Sequence, residues 1–82
     1  MISLSADLDI RLSQLPLSAP QRAHITHWLS TADGEVERVR DLPQPFRGWL
    51  RNPDRLRAIN ADPDRAARVN RKTERWLRTL DR

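Results

Sequence analysis

Two stretches ten residues apart begin in the same way: Asn52-Pro53-Asp54-Arg55 and Asp62-Pro63-Asp64-Arg65. Each sets a side-chain acceptor at a helix N-cap, a proline at the first helical position and a carboxylate in the first turn. An apolar residue, Ile59 or Val69, follows seven places after each cap. A chain punctuated like this commits its second half to helices. An offset that occurs only twice is too little for a solenoid, so the copies read as two efficient helix starts. The asparagines that close them, Asn60 and Asn70, are not required by that reading.

Helical punctuation continues upstream, and strand signals are nearly absent. There is no alternating β-branched run, no hairpin turn between alternating stretches, and only two glycines. Leu4, Leu8, Leu12 and Leu15 make one apolar stripe and predict a first helix from about Ser5 to Gln14, with Asp7 and Asp9 in its first turn. Pro16 ends it. Ser18 and Gln21 form a capping box for a second helix, with Pro20 in its first turn. Its buried face is Ile25, Trp28, Leu29 and Ala32, and Asp33-Gly34 closes it. A short third helix is expected to turn Val36, Val39 and Leu42 inward. Pro43-Gln44-Pro45 reads as a rigid connector, and Phe46, Trp49 and Leu50 as a brief apolar turn of helix. The last helix runs from Pro63 to about Leu80. The expected class is all-α: a compact orthogonal bundle of about five to six short helices with a longer amphipathic C-terminal helix, in one domain over residues 1–82.

Composition narrows the function. A chain of 82 residues needs a core dense in large side chains, and Leu, Ile, Val, Trp28, Phe46, Trp49 and Trp76 supply one. With no cysteine there is neither a disulfide framework nor a thiolate metal site. The stretch Met1–Asp7 has no basic segment and no long apolar run, and nowhere do about 20 apolar residues follow one another. The expectation is a soluble, cytoplasmic protein with no membrane partner.

Charge is distributed unevenly. Residues 1–34 hold two Arg against three Asp, whereas residues 35–82 hold thirteen basic against eight acidic side chains, so the net +4 belongs to the later part. All but one of the fifteen basic residues are Arg, whose planar fork pairs bidentately with phosphate or carboxylate. Plotted at about 100° per residue, Ala66, Val69, Thr73, Trp76, Leu77 and Leu80 share one sector of the last helix. Arg65, Arg68, Arg71, Lys72, Arg75, Arg78 and Arg82 fill the neighbouring sector of about 140°. Glu74 and Asp81 lie outside that basic sector, and only Asp64 falls within it. Cations spaced along one helix face displace counterions from a phosphate backbone. The leading candidate is therefore nucleic-acid binding through Arg65, Arg68, Arg71, Lys72, Arg75 and Arg78, in an accessory or regulatory role.

The rival candidate is a protein-binding module, a small inhibitor or adaptor of the kind carried by phages and mobile elements. It uses Phe46 and Trp49 as an apolar patch rimmed by Arg47, Arg51 and Arg55, suited to an acidic partner surface. Trp76 and Leu80 also offer a seam for a homodimer. A helix-turn-helix over Glu35–Asn52 is disfavoured, because Pro43 and Pro45 replace the usual glycine-containing turn. His24 and His27 share a helix face, but no further His or Cys completes a metal site. Neither a phosphate-binding glycine loop nor a nucleophile elbow is present, so the expectation is a non-enzyme without cofactor or metal.

Overall fold

The first helix is entered from a strand. In the computed structural model, which describes residues 1–31 and 33–80 (residue 80 by its backbone alone), β1 (Ile2–Leu4) precedes α1 (Ala6–Ser13). Then come α2 (Ala19–Thr31), β2 (Gly34–Val36), a 3-10 turn (Val39–Asp41), α3 (Gln44–Arg51), α4 (Pro53–Asn60) and α5 (Pro63–Leu80). The all-α class holds, with one short parallel strand pair added to it.

That pair corrects two expectations. Leu4 belongs to β1 rather than to the first helix, and the third helix expected around Val36 is instead β2 followed by the 3-10 turn. The strands run in register Ile2↔Gly34, Ser3↔Glu35 and Leu4↔Val36. Parallel strands need a crossover of a dozen or more residues, and α1 with α2 provides it. Ile2, Leu4 and Val36 pack against the core, so burial of side chains selects the pairing. Gly34 starts β2 at φ 149°, a conformation that side chains rarely adopt. The Met1 ammonium bonds the exposed Asp33 carboxylate beside it. That hydrogen bond, and then the ammonium charge, hold the Asp33 carboxyl below its ordinary value.

Ser5 joins sheet to helix. Its N–H donates to the Val36 carbonyl (3.0 Å), extending the ladder, while its Oγ caps α1 by accepting from Leu8 N (3.3 Å) and donates to the Glu37 carbonyl (3.3 Å). The capping box of α2 is present: Gln21 N donates to Ser18 Oγ (3.4 Å) and Ser18 N to Gln21 Oε1 (2.9 Å). Pro43-Gln44-Pro45 is less a connector than a helix start, with Pro43 at the N-cap and Pro45 in the first turn of α3. Asn52 Oδ1 accepts from Arg55 N (3.1 Å) at the start of α4. Asp62 Oδ1 accepts from Asp64 N (3.0 Å) and Arg65 N (3.3 Å) at the start of α5.

The core gathers Leu8, Leu12 and Leu15 with Ile25 and Trp28 of α2, Leu42 after the 3-10 turn, Phe46, Trp49 and Leu50 of α3, Leu56 of α4 and Leu77 of α5. Phe46 is its centre, edge-on to Trp28 (5.5 Å between centroids) and tilted against Trp49 (5.2 Å). One polar clasp lies within it. The fully buried Gln21 exchanges two hydrogen bonds with Asn60 (2.8 and 3.0 Å), and Asn60 Nδ2 also donates to the Pro16 carbonyl (2.9 Å). Asn60 thus ties the end of α4 to the start of α2. Asn70 has no such role: its Oδ1 is buried with no hydrogen-bond partner. Ala32 of the expected α2 face lies outside the described residues.

Candidate nucleic-acid interface

Helix α5 buries one line and exposes the rest. Thr73 and Leu77 are buried, Thr73 satisfying its hydroxyl on the Val69 carbonyl (2.9 Å), while Ala66, Val69 and Trp76 are half-buried. Arg65, Arg68, Arg71, Lys72, Arg75 and Arg78 are all exposed. Among the described residues, none of these six side chains makes an ion pair. Three carboxylates are engaged elsewhere: Asp54 with Arg57 (2.9 Å), Asp7 with Arg11 (3.9 Å), and Glu74 of α5 itself close to His24 Nε2 (3.6 Å). An amphipathic surface helix ordinarily turns its charges to water. What distinguishes this one is that, Asp64 apart, the charges of that sector are positive, and none of the six cations is ion-paired among the described residues. From Arg65 to Arg78 the face extends about 20 Å at 1.5 Å per residue. Arg82 lies outside the described residues.

The rival patch is not a surface. Phe46 has no exposed area and Trp49 is 6% exposed, so neither is available to a partner. The eight-residue α3 is covered because Trp28, α4 and the 3-10 turn close around it. Of the cations assigned to the rim, Arg51 and Arg55 are exposed and Arg47 is half-buried, while the Phe46 and Trp49 they were to surround are buried. Of the seam expected for a homodimer, Trp76 is half-buried and packs against the core of this chain, and the Leu80 side chain lies outside the described residues.

A feature that sequence reading missed adjoins the basic face. Between α3, α4 and α5 runs a groove of about 330 Å³. Its wall is Pro45, Gly48, Trp49, Ile59, Val69 and Trp76, and the exposed Arg55 and Lys72 line it too. Lys72 therefore belongs both to the groove and to the cationic face. A second groove, of about 250 Å³ beside β1, α1 and α2, is lined by one acid, Asp9, and one base, Arg22, and so offers no net charge. The one sequence sign of the first groove is Gly48, a glycine inside a helix.

The two histidines do not make a metal site. His24 is mostly covered, with Nδ1 buried and without a hydrogen-bond partner, and His27 is exposed. Among the described residues, no group of three or more His, Cys, Asp or Glu could hold a metal ion, and no helix is long and apolar enough to cross a membrane. Comparison with protein-family models, curated proteins and solved structures finds no match to this chain.

Proposed function

We propose that this protein binds nucleic acid through the cationic face of α5 and performs no chemistry of its own. The observation that carries this reading is six exposed cations on one helix, none of them paired with a carboxylate among the described residues. Arg68, Arg71, Lys72, Arg75 and Arg78 contact backbone phosphates, and Arg65 extends the track. Such contacts release condensed counterions, so they supply affinity without sequence preference. The role is accessory: the protein coats or presents a strand rather than reading it. An adaptor function at Phe46 and Trp49 is not carried forward, because both side chains are core.

Reversal of two central charges tests the reading. Arg71→Glu with Arg75→Glu leaves the buried line of Thr73 and Leu77 untouched, so far-UV circular dichroism should not change. Affinity for a labelled oligonucleotide at about 50 mM salt should fall at least about tenfold, since two attractions become repulsions. Unchanged affinity in a folded double variant would sink the assignment.

A further inference from the structure

The groove between α3, α4 and α5 lies where the cationic face of α5 meets the core. On the α5 wheel, Trp76 is separated from Lys72, one turn before it, by only about 40°. Trp76 is half-buried and lines the groove together with Lys72, so the indole stands beside one cation of that face. We infer that this groove seats an unpaired base of single-stranded nucleic acid against Trp76 while the arginines track the flanking phosphates. This deepens the function proposed above and rests on it.

Three observations carry the inference. First, the groove joins apolar and aromatic walls to positive charge from Arg55 and Lys72, the combination that single-strand sites use. Second, its volume of about 330 Å³ stands at the lower end of ligand pockets, which run from roughly 300 to 1,000 Å³. That accommodates one flat ring system, whereas a bound helix would need a trough for several anchors in succession. Third, Gly48 forms part of the wall, and a Cβ built there meets nothing within 4 Å. A glycine in a helix interior is destabilising relative to alanine, and no neighbour here requires its small size. The space over it is open, at the wall of the groove that it lines. A base paired in a duplex cannot reach such a site, so the groove implies preference for single strands.

The experiment compares four probes at about 50 mM salt: a short oligo(dT), an abasic oligomer of equal length, a duplex of equal length, and a poly-glutamate peptide. The natural protein should bind oligo(dT) about tenfold or more tightly than either the abasic oligomer or the duplex. Gly48→Leu points a side chain into open space and fills the groove, and Trp76→Leu removes the stacking face. Each should lower oligo(dT) affinity to the abasic level and leave abasic binding unchanged. Equal affinity for the three nucleic-acid probes would overturn the groove assignment and leave the cationic face standing. So would unchanged oligo(dT) affinity in a folded Gly48→Leu protein. Failure to bind any nucleic acid would overturn the function itself. Binding of poly-glutamate instead, lost in Gly48→Leu, would overturn both and reassign the groove to an acidic protein segment.

Discussion

The Asn60 side chain closes three connections, to both ends of the Gln21 amide and to the Pro16 carbonyl. Removing it takes the partner from the buried Gln21 Nε2 and from the Pro16 carbonyl, while Gln21 Oε1 keeps the Ser18 N–H, and each unsatisfied buried polar group costs about 1–3 kcal/mol. Asn60→Ala should therefore lower unfolding free energy by about 2–3 kcal/mol in urea titrations. Gln21→Ala added to it should cost less than the two single changes summed, because the amide left unpaired is then gone. A strictly additive cycle would show that the clasp is incidental. Gly48 moves stability the other way: Gly48→Ala should raise it by about 0.5–1 kcal/mol, because the added methyl meets open space in a helix interior. Sequence reading found Asn60 unexplained and could not do better, because its partner lies 39 residues away on α2. The six cations were legible individually, since helical periodicity alone places them on one side. Phe46 and Trp49 were left between core and surface, and only the closure of Trp28 over Phe46 decides for core.

Elements were legible where their ends carry local chemistry. Ser5, Ser18, Asn52 and Asp62 all accept backbone N–H groups at the helix starts their identities announce. Substituting Asn52 or Asp62 by Ala should cost about 1 kcal/mol each, the usual loss when a cap is removed. Thermal melts would read it, and an unchanged midpoint would mean that the following proline alone fixes the start. β1 and β2 were illegible for the opposite reason. Three residues are too few to display a period of two, and the strands pair across the whole of the intervening α1 and α2. The same residues that suggested helix, Leu4 and Val36, satisfy their burial equally well as strands packed on the core. The groove shares this cause: three helices contribute its wall, so no window of sequence contains it.

At the scale of the molecule, net charge is a poor guide to how this protein should meet a polyanion. The formal value of +4 is smaller than the six cations of α5 alone, because acids across the chain, Asp64 and Glu74 of α5 among them, subtract from the sum without forming an ion pair with any of the six among the described residues. Within a chain of 12.3 Å radius of gyration, the acids still lie within a few Debye lengths of the face. Their repulsion weakens at physiological salt, while direct phosphate contacts continue to release counterions. The dependence of affinity on salt should therefore count contacts rather than net charge. With each contact contributing about 0.9 to the slope on duplex DNA and about 0.7 on single strands, six cations set limits near −5 and −4. The cations spread over about 140° of the helix, so one strand cannot meet all of them at once, and slopes between about −2 and −4 are expected. Titrations from about 50 to 300 mM salt measure this directly. Arg71→Glu with Arg75→Glu should flatten the slope by about two contacts, whereas Gly48→Leu should weaken oligo(dT) binding at every salt concentration without changing the slope. A slope shallower than about −1 would mean that the α5 face holds no phosphate. A slope altered by Gly48→Leu would mean that groove and face are a single electrostatic surface.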